Sequence, residues 1–433
     1  VLAPMLGEGG GMAEESERAF KARAELRAEA ELIFRAGVSA ADPGTGVDRA
    51  LEADGWSGRF VIAVGKAAPS MMRAALKRVG PVEAALVVTN PENAGDLPGA
   101  TVMEAAHPVP DAGGLAAGEA VLELLAKAGE GDKVLALVSG GGSALLPAPV
   151  EGVSLADKAA VNEALLASGA DIHQMNLVRQ QLSRLKGGGF LWAAAPAHVR
   201  ALVLSDVLGD DLSTIASGLT APPIGSCEEA AETCRNLGIW ERLPESARRH
   251  LAGQADEQPA LPPARNEIIG SNGVSVMAME RAAPGARVVL EPLEGDVEEA
   301  ARAVIAAGDM GPGITLFGGE TTVRLCDEPG TGGRNQQLAL KVAELADWPG
   351  QWVFLSGGTD GRDGPTDAAG GMVDHGTRAR LASAGKSAAD YLARNDAYHG
   401  LKLSGDLLIT GATGTNVADL QVLIRREPGR SGF

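Results

Sequence analysis

Aromatic residues are scarce in this chain: 3% of 433 positions, with 5 Trp, 2 Tyr and 7 Phe. So few rings leave little surface for stacking on bases, which argues against a nucleic-acid partner. Cysteine is scarcer still, with Cys227, Cys234 and Cys326 scattered and no CxxC pair. An odd, dispersed set supports neither a secreted disulfide framework nor a structural zinc site. No run of about 18 apolar residues occurs, so no membrane-spanning helix is expected. Basic residues are outnumbered, 38 Lys and Arg against 56 Asp and Glu, for a formal net charge of -18. Such a surface repels nucleic acid and anionic membrane at long range. A local basic pocket inside a negative envelope still admits a small anion. Residues 1–12 lack a basic stretch followed by an apolar one, so no signal peptide is expected and the reading is cytoplasmic. They are glycine-rich and begin with valine, which reads as a frayed or non-native leader with Met5 or Met12 as the native start.

Nucleotide signatures are missing too. Gly65-Lys66 is followed by Ala67, so GxxxxGK[ST] is absent. No GxGxxG follows a strand and opens a helix with an acid about 20 residues on. Both absences weaken a P-loop NTPase and an ordinary NAD enzyme. Six histidines yield no Ser-His-Asp or Cys-His set by sequence, so a hydrolase has little support.

What remains is a chain that is 45% hydrophobic, too apolar for intrinsic disorder. Its 58 glycines have no three-residue period, which excludes collagen. The length suggests two or three domains and a core that needs no staples. Residues 14–34 form a charged, Ala-rich helical stretch. Short apolar runs then end in glycine turns: 60–64 before Gly65-Lys66, 84–89, 134–138 before Ser139, and 201–204 before Ser205-Asp206. Nearly continuous runs of this length read as strands buried on both faces of a parallel sheet. The polar, proline-rich stretch 253–263 is the best linker. Beyond it, runs at 314–317, 352–355 and 406–410 end in Gly318-Gly319-Glu320, Ser356 to Asp360, and Gly411. The expected fold is α/β in two domains, 1–255 and 265–433.

Ligands in open α/β sheets bind outside the carboxyl ends of strands. The loop Ser139, Gly140, Gly141, Gly142, Ser143 could turn several N–H groups on a phosphate or carboxylate. A tight turn that needs glycine explains it equally well. Residues 176–186 read as an amphipathic helix stopped by Gly187-Gly188-Gly189. Arg179, Ser183 and Lys186 share one stripe of it, either as solvated surface or as an anion-facing set. Asp206, with Asp210 and Asp211, follows one strand; Asp360, Asp363 and Asp367 share the loop after another. Clustered carboxylates suggest a Mg²⁺ site or a general base, while Asx turns and N-caps account for some of them. Lys66 and Arg334 stand in glycine-rich turns and suit a point charge and a bidentate clamp on phosphate, unless they are merely solvated. His107, in the loop His-Pro-Val-Pro-Asp, is held by two prolines for either a substrate contact or a structural hydrogen bond.

Eleven segments in order carry a resemblance: LIFRAGVSAADP (32–43), VGKAA (64–68), HPVPD (107–111), SGGGSALL (139–146), NLVRQQLSRLKGG (176–188), LSDVLGDDLSTIASG (204–218), IIGSN (268–272), FGGETTV (317–323), GRNQQLAL (333–340), SGGTDGRDGPTDAAG (356–370) and GATGTNVADL (411–420). Together they resemble the class II glycerate kinases, the family with a MOFRL-type C-terminal domain. The resemblance implies an N-terminal Rossmann-like domain, a smaller α/β domain, and an active site in the cleft between them. It implies phosphorylation of D-glycerate by ATP and Mg²⁺, commonly giving 2-phosphoglycerate. The family's cleft residues fall on Lys66, Asp206, Glu320, Arg334, Asp360 and Asn416, with Asp206 or Asp360 holding Mg²⁺ or taking the glycerate proton. Two prolines of the family pattern are replaced, by Leu219 and Ala412, which predicts looser loops there. A hydroxypyruvate reductase using NAD(P)H lacks its fingerprint. A non-catalytic sensor leaves so many charged cleft residues unexplained. No nucleic-acid or membrane partner is expected, and a homodimer stays open.

Overall fold

A computed structural model describes residues 9–53, 55–253 and 259–427, with side chains from Phe20 onward. Met5 and residues 254–258 of the expected linker lie outside the described residues, while Met12 falls in the backbone of the first helix, Gly9–Ala40. The chain forms two compact units. One runs from Ala41 to Ser271; the other joins residues 9–40 to residues 272–427.

In the Ala41–Ser271 unit, six strands form one parallel sheet. They are β1 (Phe60–Val64), β2 (Ala84–Thr89), β3 (Thr101–Glu104), β4 (Lys133–Val138), β5 (His198–Leu204) and β6 (Ala264–Gly270). All five residues of β1 are buried, as its unbroken apolar run requires of a strand covered on both faces. On one face Phe60, Ile62, Val134 and Val138 pack against Leu124, Leu125 and Phe190. The strand order β3-β2-β1-β4-β5-β6 is that of doubly wound sheets. Its direction of growth reverses between β1 and β4, and their carboxyl ends flank the crevice such a reversal opens.

A helical layer in the same unit packs Val161, Leu165, Val178, Leu182, Ala230 and Leu251 together. The helix expected over 176–186 instead spans Ile172–Gln181. The chain turns away after it because Ser183 bridges to Pro149 and the Arg184 N–H donates to the Ala148 carbonyl at 2.9 Å. The proline-rich stretch does not end the unit. β6 follows it and pairs with β5, so the chain leaves only at Ser271 rather than near residue 260. Arg265, Asn266 and Glu267 interrupt the apolar pattern of this edge strand, which hides it from a hydrophobicity reading.

The other unit has a mixed sheet of β7 (Arg287–Val288), β8 (Leu293–Asp296), β9 (Gly313–Thr322), β10 (Gln351–Gly358), β11 (Gly370–Asp374), β12 (Leu407–Leu408) and β13 (Asp419–Arg426). Its order is β12-β11-β10-β13-β9-β7, with β8 beside β9. β10 to β13 pair antiparallel, and so do β13 and β9. The helix Arg334–Leu345 covers one face, with Leu338, Leu340 and Val342 against Phe354 and Val373. The N-terminal helix covers the other, with Leu26, Ile33 and Phe34 against Val353, Leu355, Leu420 and Val422. The helix Gly9–Ala40 therefore belongs with the C-terminal half, not with the 1–255 segment expected from sequence.

A buried ion network ties that helix down. Arg27 Nη1 donates to Asp374 at 2.7 Å and to Asp406 at 2.8 Å, and Arg380 bonds both carboxylates as well. Burial alone pushes Asp374 up, but the hydrogen bond and charge of Arg380, the Gly376 N–H and Arg27 hold it below the usual carboxylate value. A depressed carboxylate contributes stability above its unfolded value of about 3.9, which is lost as pH falls through the folded value. Arg27→Met is expected to lower unfolding free energy by about 2 kcal/mol at pH 7, the scale of a charge-assisted hydrogen bond. Denaturant midpoints of parent and variant check this, and the gap should narrow as Asp374 protonates. Among the described residues, no helix is long and apolar enough to cross a membrane.

Candidate active site

The loops after β1 and β4 are stitched together at the strand-order reversal. Gly65 N–H donates to the Val88 carbonyl at 3.1 Å, Lys66 N–H to Gly140 at 2.9 Å, and Ser139 N–H to Val64 at 2.9 Å. Ser139 Oγ accepts from Ala67 N–H at 3.1 Å and donates to the Val64 carbonyl at 3.3 Å. Ser139 is thus a buried structural strut, not a donor facing ligand.

The glycines open space for charged groups. A Cβ on Gly140 would overlap the Asp206 carboxylate, and one on Gly141 would stand 3.2 Å from the His107 ring and 3.4 Å from the Lys66 stem. Lys66, His107 and Asp206 are therefore gathered around this loop. Asp206 is half-buried, and burial pushes its carboxyl above the usual value against the pull of its own N–H and of Lys66. Burial also pushes His107 down, with Lys66 adding and Glu92 opposing. Lys66 Nζ has no hydrogen bond or ion pair among the described residues. Asp211 does not join this group. It accepts from Ser213 N–H at 2.9 Å and from the Ser213 and Thr214 hydroxyls, which is turn chemistry.

Ser143 leads to a second set of cations. Lys186, 5% exposed, donates from Nζ to the Ser143 carbonyl at 2.8 Å and to Ser143 Oγ at 3.1 Å. Arg179 Nε donates to Asn162 at 3.0 Å. Lys158, which sequence did not single out, donates to the Pro147 and Leu182 carbonyls at 3.0 and 2.9 Å. Arg179 and Lys186 do not share a helix stripe, yet folding brings both near Lys158. Burial drives the Lys158 ammonium down to about 7, helped by Arg179. Lys186 falls well below its usual value through burial and the charges of Lys158 and Arg179. The loop with Leu219 is packed and hydrogen-bonded. Leu219 is buried beside Leu185 and Phe190, and Gly187 and Gly188 N–H groups donate to Ser217 and Gly218.

In the second unit, Arg334 opens its helix and grips Asp419, with Nε to Oδ2 at 2.6 Å and Nη2 to Oδ1 at 3.0 Å. Nη1 meets Glu320 at 2.8 Å. Burial works against the Arg334 charge, but Asp419, Glu320 and Asp363 outweigh it and raise its pKa. Arg334 is therefore no free fork: three of its five donors are engaged. Asp419 is fully buried at the start of β13, its carboxyl pushed up by desolvation against Arg334 and Asn335. Sequence reasoning missed it, although an acid opening a buried apolar run was a usable signal.

The acids of the loop after β10 divide. Asp363, pushed up to about 6 by burial, caps the Arg334 helix through Asn335 and Gln336 N–H groups at 3.2 and 2.8 Å. Asp367 accepts from Tyr398 at 2.9 Å. Asp360 accepts from Arg362 N–H at 2.9 Å through one oxygen. Asn416 spends its Oδ1 on Ala418 N–H at 3.2 Å. The loop holding Ala412 is pinned too, since Thr413 donates to the Thr359 carbonyl at 2.5 Å. Among the described residues, no three His, Cys, Asp or Glu side chains cluster as a metal site.

Comparison with known proteins gives these arrangements a family. A model described as a domain of unknown function (DUF4147) matches residues 29–252, and the MOFRL family matches 313–419. D-glycerate 2-kinase of Thermotoga maritima is 40% identical over 83% of this chain and 89% of its own length. Glycerate 2-kinase of Pyrococcus horikoshii is 38% identical over 84% of this chain and 87% of its own length. The crystal structure of a Thermotoga maritima glycerate kinase superposes with a TM-score of 0.87 at 38% identity, covering 93% of this chain and all of that one. The chain belongs to the class II glycerate kinase family.

Proposed function

We propose that this enzyme transfers the γ-phosphoryl group of ATP to D-glycerate, giving 2-phosphoglycerate. The observation that carries the reading is Lys66, an unpartnered cation beside the half-buried Asp206 at the reversal of strand order. Relatives named D-glycerate 2-kinase and glycerate 2-kinase support the acceptor and the position.

Phosphoryl transfer asks mainly for positioning and charge neutralisation. Lys66 supplies a compact positive charge to the phosphoryl oxygens. Asp206 takes the proton of the acceptor hydroxyl, a task its raised pKa suits. Arg334, held by Asp419, offers its remaining N–H groups to charge that grows in the transition state. Asp360, or Asp206 where it is not the base, presents hard carboxylate oxygens, the donor type Mg²⁺ takes beside phosphate oxygens. Bound there, Mg²⁺ would neutralise phosphate charge. The Gly141 and Gly142 N–H groups are candidates to seat an anionic group.

Incubation of the protein with D-glycerate, ATP and Mg²⁺, followed by ³¹P and ¹³C NMR, is expected to show 2-phosphoglycerate and ADP. A 3-phospho product would overturn the assigned position. Oxidation of NAD(P)H with hydroxypyruvate, faster than glycerate-dependent ADP release, would overturn the reaction itself.

A further inference from the structure

Three cations of the Ala41–Ser271 unit sit together without a counter-ion. Lys158, Arg179 and Lys186 each depress the pKa of another or are depressed in turn, and none forms an ion pair among the described residues. Like charges confined by burial repel one another and lose hydration. The C-terminus of the Ile172–Gln181 helix, next to Lys158, offsets only about half a charge.

Their hydrogen bonding is incomplete. Once protonated, as a bound anion would favour, each lysine uses two of three donors, on Pro147 and Leu182 carbonyls for Lys158 and on Ser143 for Lys186. Arg179 spends Nε and Nη2 on Asn162 alone, which leaves three N–H groups. Beside them lies an independent sign. Asn176, 2% exposed, has an Nδ2 with no partner. Its orientation is fixed by a chain of hydrogen bonds: Ser217 Oγ donates to Asn176 Oδ1 at 3.0 Å, and Ser143 and Ser217 hydroxyls meet at 2.8 Å. A buried amide donor left unmade is costly. Every spare group here is a donor, and an oxyanion is the ligand that satisfies all of them.

We propose that Lys158, Arg179 and Lys186, with the Asn176 amide, form an oxyanion subsite that takes the carboxylate of the acceptor acid. The choice of a carboxylate rests on the phosphoryl-transfer reading, in which Lys66 serves the phosphoryl group; the oxyanion chemistry does not. The enclosure of Lys186 and Asn176 suits a small terminal anion better than a solvated triphosphate chain.

Calorimetric titration of the intact protein tests this without turnover, using D-glycerate, glycerol and the β,γ-imido analogue of ATP. D-Glycerate is expected to bind, and glycerol, which lacks the carboxylate, is not. Lys186→Gln and Arg179→Gln should each weaken D-glycerate about ten-fold or more, the scale of one charge-assisted hydrogen bond, with the analogue's Kd within two-fold of parent. Binding of D-glycerate to the parent should take up protons near pH 7.5, because an anion raises the depressed lysines. Enthalpies in two buffers of different ionisation heat read that uptake, which the variants should reduce. Folding is checked by circular dichroism; Arg179, only half-buried, decides if Lys186→Gln does not fold. Parent-like affinity in folded variants overturns the subsite, as does loss of the nucleotide analogue with D-glycerate unaffected. Failure of the parent to bind D-glycerate, with or without the analogue, overturns it too. If the parent phosphorylates glycerate while the variants bind normally, the subsite alone fails. If the parent binds glycerate through these residues but never phosphorylates it, the kinase reading alone fails.

Discussion

Arg334→Lys is expected to lower kcat by on the order of 10²–10³-fold, the typical loss for one preorganised electrostatic donor. The substitution keeps a positive charge and removes the planar fork. In the parent, Nε and Nη2 are fixed on Asp419 while Nη1 meets Glu320, so the remaining donors are presented from an anchored plane. A lysine ammonium can contact Asp419 or reach outward, but it cannot hold both geometries at once. Loss confined to the transition state should leave KM for both substrates near parental values. Arg334→Ala should cost more, because it also leaves the fully buried Asp419 carboxylate without its partner. Steady-state kinetics with a denaturation curve for each variant separate the two losses. A kcat for Arg334→Lys within a few-fold of parent would sink the clamp role. A rise in KM for glycerate alone would place Arg334 on the bound acid throughout the reaction.

Gly65→Ala should be among the most damaging single-methyl additions to the first unit, with a loss of about 3 kcal/mol or more. Gly65 has φ +122, a region that residues with a Cβ rarely adopt. A Cβ there would overlap the Ser139 hydroxyl and carbonyl, and backbone cannot swing aside as a flexible side chain can. Ser139 in turn holds Val64 and Ala67. The strain thus falls on the junction that positions Lys66. Urea midpoints should shift strongly, and activity should fall even where the variant remains folded. An unchanged midpoint would show that the loop relaxes freely, and that the stitching of these two strand ends matters little.

How much of this was legible beforehand follows from the range of the interactions involved. The buried runs of β1, β2 and β4 declared themselves because a strand covered on both faces must be apolar throughout. The glycine turns after β1 and β4 were visible for the same local reason. The charged edge strand β6 was not, nor was β13 as the partner of both β9 and β10, because pairing joins residues far apart in sequence. That long-range pairing also moved the domain boundary from the proline-rich stretch to Ser271, and packing of Phe34 and Ile33 on the second sheet carried the N-terminal helix with it.

The candidate site divides in the same way. Residue type, with strand-end or glycine-turn context, raised Lys66, Asp206, Arg334 and Asp360 as candidates, and the family resemblance placed them in a cleft. Sequence by itself determined that this acidic, aromatic-poor chain would build α/β sheets with polar groups at their strand ends. Only the tertiary structure decided which of those groups are engaged. It spent Asp363 on a helix cap, locked Arg334 onto Asp419, turned Ser139 into a strut, and set Lys158 beside Arg179 and Lys186. Hydrogen-bond partners and burial depend on neighbours brought together by the fold, and a linear pattern of residue types does not contain them.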